Sequence, residues 1–373
     1  MNVLRRLIYK EVVLAVMTVS VAFLGLFFFF DLIDELPAIG KASPLDPKLV
    51  FQVSHALVFV GLLIPSRLYE LLPITVLIGT IFVFARLAQG SEYTILRTSG
   101  LGPWRALRLM LGLGLAFVAV TFLTGDYIAP ASGKAAQLYK ARFDGRPPAG
   151  PTGAWLREKQ GESQFSVNVN ALTGASEMKL IRIFEFDSQG HLLSRTQAPT
   201  GHITSEGTWV LQQATRSTFA APSPGQAPQL TQAVLDSFTW SSELTAEMVS
   251  VALLKPERMS TTDLYRYIEH LDANGQSAQR YEIEFWRKVF YPLSCLVMMV
   301  LALPFAYLHF RSGTIAGYVF VGVMVGISFF LLNNVFGYIG RLNSWEPWLA
   351  AALPSILYSL ASLTAFGWLV IKR

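Results

Sequence analysis

The residues of this chain that could do chemistry are a few charges set against long apolar stretches. The densest polar group on one link is Arg86–Pro103, reading RLAQGSEYTILRTSGLGP. Ser91 can act as an N-cap by accepting from the orphan backbone N–H groups of a first helical turn. Glu92 then falls where a negative charge suits the helix dipole, and Arg97 falls near the opposite end. Gly100 and Pro103 stop the helix. The spacing therefore predicts a short helix over about 90–99, lying on a membrane surface through apolar Tyr93, Ile95 and Leu96. Two readings of it stand: a capped connector, or a docking helix that takes force from a soluble partner.

A second group is Arg67 and Glu70, three residues apart on one helix face inside the apolar run Leu49–Ala85. They either neutralise each other, or Arg67 faces a cavity and pairs with an anionic headgroup. Asp31, Asp34 and Glu35 end the first apolar run and read as a solvated edge. Asn333-Asn334 sits in another apolar stretch, where it requires partners on a neighbouring helix or in a wet cavity. The Phe27–Phe30 run reads as lipid-facing aromatics or as a wall for acyl chains.

Other chemistries have no candidates. GxxxxGK[ST], HExxH and GxSxG are absent, and the five histidines are scattered. The single cysteine, Cys295, excludes disulfides within the chain and cysteine-based metal sites. The net charge of +5 comes without a basic run carrying interleaved aromatics, which argues against nucleic acid. At 52% hydrophobic and 15% charged, the composition is that of a membrane protein.

Six apolar segments position these groups: Val12–Phe30, Leu49–Ala85, Ala106–Gly125, Val289–Leu308, Thr314–Tyr338 and Pro347–Ile371. The second, interrupted by Pro65 and Pro73, is too long for one straight crossing; it is either two pieces or one long kinked helix. The first has the basic start of a signal peptide, but no small-residue cleavage site follows it, so it reads as a retained span. Arg5, Arg6, Lys10, Arg86, Arg97, Arg105, Arg108, Arg311, Lys372 and Arg373 fall on one side. Only Lys41, Lys48 and Arg341 occupy the short loops of the other. The positive-inside rule places both termini in the cytoplasm and the polar insert outside.

The insert reads as β. Ser163–Leu172 and Lys179–Phe186 alternate or carry β-branched and aromatic residues, with turns at Asp187–Gly190 and Ser205–Gly207. Further strands are expected from His191 and Thr208, in QAVLDSFTW and in MVSVALL, which suggests a sandwich or open barrel. Ser260 and Asp263 resemble a capping box that starts a helix through Leu271, stopped by Asn274-Gly275. A second helix from about Ser277 carries Arg287 and Lys288 into the fourth span. The expected division is 1–125, three spans with the short helix; 126–276, the β domain with its linker helix; and 277–373, three spans.

Three stretches carry a family resemblance: Tyr69–Gly100, Phe285–Phe305, and Val335–Gly340 with Leu349–Ser355. They resemble the YjgP/YjgQ permease family of the lipopolysaccharide export machine. The resemblance covers both membrane halves, and the insert by its length, position and β character. It implies six membrane helices arranged 3+3, with a jellyroll-like β domain in the periplasm of a bacterial inner-membrane protein. It also implies an LptF-like paralogue as partner, with a cavity between the two open to the outer leaflet for lipopolysaccharide. A dimeric LptB-like ATPase would bind the ATP and magnesium, so this chain needs no cofactor and is not an enzyme. An LptC-like single-span protein and an LptA-like bridge would receive the lipid.

By the same resemblance Glu92, with Ser91, Tyr93, Leu96 and Arg97, couples to the ATPase. Phe28, Phe30, Asp31, Lys41, Arg67, Phe329 and Asn333 fall at cavity positions. Where family members carry lysines at the end of the first span, this chain has acidic or neutral residues, which shifts the headgroup role towards Arg67 and Lys41. Outside that family, an ABC-type permease for another lipid or a lipoprotein, or a non-transporting scaffold, also fits the layout.

Overall fold

The computed structural model describes residues 2–43, 49–90, 102–144, 153–173, 177–204, 207–219, 230–253, 255–307 and 315–371. They form two compact units. The first comprises Met1–Gly40, Gln52–Ala136 and Glu282–Arg373, and the second comprises Lys41–Phe51 and Gln137–Tyr281.

The helices of the first unit are α1 (Asn2–Glu35), α2 (Val53–Gln89), α3 (Pro103–Leu123), α4 (Ala129–Asp144), α7 (Gln279–Ala302), α8 (Ile315–Leu342) and α9 (Pro347–Ile371). A π-helical turn, Thr124–Ile128, joins α3 to α4, and both α4 and α7 run on into the second unit. Among the described residues six helical stretches are long and apolar enough to cross a membrane, with α3 and α4 counting as one. The helix after the third span therefore continues to Asp144 rather than giving way to a polar domain at 126, and the unit boundary falls at Ala136.

Helix α2 is one continuous element of 37 residues through Pro65 and Pro73, about 55 Å long. A proline removes one backbone N–H and pushes on the turn before it. In both cases the carbonyl three residues earlier receives a hydroxyl from another helix. Ser132 of α4 donates to the Leu62 carbonyl, and Tyr291 of α7 donates to that of Glu70 at 2.6 Å. These hydroxyls tie the turn ahead of each proline to a neighbouring helix.

Close helix packing depends on small residues. An added Cβ on Gly79 would lie 2.8 Å from the Val16 backbone nitrogen, so α1 and α2 touch there main chain to main chain. Ser20 Oγ donates to Thr75 Oγ1 at 3.0 Å one turn further along. On α8, Gly322 and Gly326 sit under Ile81 and Ile74 of α2, a small-xxx-small stripe of the kind that brings membrane helices together.

The second unit is built on one antiparallel sheet in sequence order: β1 (Ala154–Gln160), β2 (Ser163–Thr173), β3 (Glu177–Phe186), β4 (Leu192–Ile203), β5 (Thr208–Phe219) and β6 (Leu230–Ser241). Among the described residues this is one continuous meander with β1 and β6 as edges, a single sheet rather than the two packed sheets of a sandwich. Leu180 and Gln213 have left-handed backbones (φ 52° and 51°) and are skipped in the pairing, with the register unchanged on either side. The register of β3 against β4 shifts only between Glu185 and Phe186, an irregularity of the kind that bends and twists a sheet. Buried Glu158 of β1 accepts from Ser242 Oγ at 2.5 Å and from the Glu243 N–H at 2.9 Å, tying down the chain that leaves β6.

Beyond the sheet, MVSVALL is not a strand. Ala246–Ala252 forms a short helix, α5, because the Thr245 hydroxyl accepts from the Met248 N–H as an N-cap. The Ser260–Asp263 capping box is present and starts α6 (Thr261–Ala273), which ends at Asn274 before Gly275 at φ 62°.

Candidate functional site

The expected coupling residues Ser91, Glu92, Tyr93, Leu96 and Arg97 lie outside the described residues. Of the expected cavity residues, Asp31 and Arg67 are brought together. Arg67 Nη2 lies 2.6 Å from Asp31 Oδ1 and Nε lies 3.0 Å from Oδ2, a two-pronged pairing of α2 to α1. Glu70 Oε2 stands farther off, at 3.5 Å from Nη1. The guanidinium also lies over the Phe27 ring, 5.3 Å from its centre.

Arg67 is thus covered by an acid on the other helix rather than chiefly by its own i+3 neighbour, and the three charges sum to −1. The solvated-edge reading of the α1 end holds for Asp34 alone. Asp31 and Glu35, one turn apart, share a face; Asp31 is paired and Glu35 is buried. Phe28 is half-buried, and Phe30 is exposed on the outside of α1. Lys41 is exposed and belongs to the second unit.

Phe329 and Asn333 are not open to a cavity within this chain. Phe329 is 1% exposed, packed with Leu77, Ile81, Met298 and Ala302, and its ring meets that of Tyr358 edge-on at 5.1 Å. Asn333 is buried and donates to the Phe329 carbonyl at 3.1 Å. The glycine stripe on α8 selects the face that turns towards α2, and Phe329 and Asn333 lie on that face. Asn334, the other half of the pair, accepts from Arg287 of α7 at 3.3 Å and so bonds between helices.

A buried polar network joining α2, the π-turn, α7 and α8 was not assembled from the sequence. Lys288, 8% exposed, donates to the Gly125 carbonyl of the π-turn at 2.9 Å and lies 5.9 Å from the Tyr69 ring centre. Arg287 pairs with Glu284 of its own helix at 2.8 Å. Gly125 has no room for a side chain, since a Cβ there would run into the Tyr69 ring. The available signal was Glu284, Arg287 and Lys288 at the entrance of an apolar helix, where charges persist only with partners. This arrangement fastens helices; it offers no nucleophile–base pair. Among the described residues no group of acids, histidines or cysteines could hold a metal ion.

Comparison with known proteins agrees with this architecture. Residues 6–369 match the family described as "Lipopolysaccharide export system permease LptF/LptG". The chain is 26% identical over 375 residues to the lipopolysaccharide export system permease protein LptG of Haemophilus influenzae, covering 100% of this chain and 99% of that protein. It is 27% identical over the same length and coverage to the protein of that name from Escherichia coli K12. With six apolar helices, an inserted β-sheet unit and a family match that takes in both, the chain belongs to the LptF/LptG family of lipopolysaccharide export permeases.

Proposed function

We propose that this chain is the LptG-type half of an ATP-driven permease that takes lipopolysaccharide from the outer leaflet of the bacterial inner membrane. Its partners would be an LptF-like paralogue, an LptB-like ATPase dimer holding ATP and magnesium, an LptC-like single-span protein and an LptA-like periplasmic bridge. Both termini would lie in the cytoplasm and the β unit in the periplasm. The observation that carries this reading is the family match, which spans the membrane helices and the β unit together.

The physics supports a divided machine. Removing a lipid with several acyl chains from a bilayer costs about 0.8 kcal/mol for each CH₂ exposed, so the work needs an engine. This chain has apolar helices for the path and no nucleotide-binding loop for the engine. Glu92 and its neighbours on 91–97 would receive the motion. Phe28 and Phe30 would line the apolar path, and the Asp31–Arg67 pair would fasten α1 to α2 beside it. A lipid phosphate would compete with Asp31 for the Nε–Nη2 edge of Arg67, so the pair would act as a clasp that opens when lipid arrives.

The test is reconstitution of the full complex in proteoliposomes with lipopolysaccharide and an acceptor protein. ATP-dependent release is expected, and Glu92→Arg should abolish it while leaving the complex assembled. Normal release by Glu92→Arg removes the coupling role; release without any ATPase present overturns the proposal.

A further inference from the structure

At the N-terminal end of α1, a groove between α1 and α3 has a cavity volume of about 630 Å³ and is lined by Arg5, Arg6, Tyr9, Lys10, Val13 and Leu113. Its size falls in the ordinary range of small-molecule sites, about 300–1,000 Å³. We infer that this groove holds an anionic glycerophospholipid of the leaflet at which α1 begins, separately from the exported lipid.

The groove is built by local geometry. Arg6, Lys10 and Val13 follow a spacing of four and then three residues, which places them along one stripe of α1, with Tyr9 alongside. The Tyr9 hydroxyl crosses to donate to the Leu109 carbonyl of α3 at 2.9 Å. It can do so because Gly112 has no side chain; a Cβ there would lie 2.9 Å from that oxygen. Val13 and Leu113 give the groove an apolar inner part, and the three cations stand at its open end.

Charge decides the ligand class. Among the described residues no acid lines the groove. At the same end of α2, Arg86 is neutralised by Glu11 at 2.6 Å. Arg5, Arg6 and Lys10, by contrast, are exposed and make no ion pair with another described residue. Three cations without an ion-pair partner among the described residues, above an apolar wall at the end of a membrane span, match a phosphate headgroup carrying an acyl chain. A free phosphate would use the cations and leave the apolar wall empty. The site is also remote from the Asp31–Arg67 clasp: the 26 residues from Arg5 to Asp31 along α1 span about 39 Å.

The test uses the full chain in its complex, purified in non-ionic detergent. It is titrated with short-chain phosphatidylglycerol and, separately, short-chain phosphatidylcholine, and bound lipid is counted by native mass spectrometry. Phosphatidylglycerol should bind at least tenfold more tightly. R6Q/K10Q should weaken it about 25-fold, near fivefold for each charge removed. V13F keeps every charge but fills the groove, and should weaken binding at least fivefold. A tenfold excess of inorganic phosphate should not displace the lipid.

Equal binding of the two lipids overturns the inference. So does an unchanged V13F beside a weakened R6Q/K10Q, which means diffuse surface attraction. Displacement by inorganic phosphate means a free-anion site and overturns it as well. If R6Q/K10Q fails to assemble while V13F binds lipid normally, the groove serves a protein partner and the lipid assignment fails.

Discussion

Lys288→Met tests whether the buried cation of α7 is a fastener. Methionine keeps most of the side chain's length and packing, so the change removes little but the donor. The Gly125 carbonyl, now bonded to Nζ at 2.9 Å, loses that partner away from water. Leaving such a group unsatisfied costs about 1–3 kcal/mol. Loss of the cation beside the Tyr69 ring adds up to about 1 kcal/mol, since 5.9 Å is near the outer limit of that attraction. Against these stands the relief of no longer burying an ammonium, which can outweigh them where the cation is poorly held. The net sign therefore reports how well Lys288 is satisfied. With a short bond to the carbonyl, a net loss of about 1–2 kcal/mol is expected. At about 2–4 °C for each kcal/mol, the melting temperature of the purified complex should fall by about 2–8 °C. Intrinsic tryptophan fluorescence during heating reads this directly, and Lys288→Arg, which keeps a donor, should fall less. A Lys288→Met protein that melts at or above the parent temperature while losing transport would refute the reasoning, because the cation would then be retained for a ligand.

Tyr291→Phe removes the hydroxyl that serves the Glu70 carbonyl ahead of Pro73; it should lower stability by about 1 kcal/mol, read as a melting shift of about 2–4 °C. Gly79→Ala places a methyl against the Val16 main chain. It should cost about 1–3 kcal/mol, seen as faster thermal inactivation of transport, and an unchanged half-life counts against the close α1–α2 contact. In the clasp reading, Asp31→Arg or Arg67→Asp alone lowers lipopolysaccharide release, and the two together restore it; failure of the exchange to restore release removes the clasp. Burial pushes the His270 imidazole of α6 below its ordinary pKa, against the opposing pull of Glu158, a bond to the Arg157 backbone and Glu243. The folded state therefore favours the neutral ring. That stability is fully present above about pH 6.5, the unfolded value, and is lost as pH falls towards the lower folded value. Hydrogen-exchange protection of the α6 amides should drop between pH 7 and pH 5, and His270→Leu should flatten the change.

What could be read from the residues in order was largely local chemistry. The Ser260–Asp263 box needs only neighbours three residues apart, and it starts α6 as expected. The Asp187–Gly190 turn likewise closes on itself, with Gly190 at φ 82° and Asp187 Oδ1 accepting from the N–H groups of Gln189 and His191. Six apolar stretches announced six helices. Errors arose where local preference was outvoted. The Val, Ser and Leu residues of MVSVALL suit a strand, but the Thr245 cap after β6 starts a helix there. The polar residues after Gly125 suggested a new domain, although helix propensity in Ala129–Asp144 carries the helix on through alanines, glutamine and lysines.

The harder failure concerned faces. A helix apolar all round gives no moment that says which side is buried, and α8 is such a helix; its glycines, placed against Ile74 and Ile81, decide the matter. Phe329 and Asn333 follow Gly322 and Gly326 on that side and are packed away. The charges show the same limit in another form. Arg67 had a visible neighbour three residues away, yet its shorter contacts are with Asp31, 36 residues earlier on a different helix. In water the nearer acid and the more distant one would compete on similar terms, because solvent screens both. Between packed helices geometry decides, and the acid able to meet both prongs of the guanidinium becomes its main partner. In the clasp reading, an anionic lipid would compete with Asp31 for the paired edge of Arg67. Lipid capture at that position would then depend on the separation of α1 from α2, and so on whatever moves those helices.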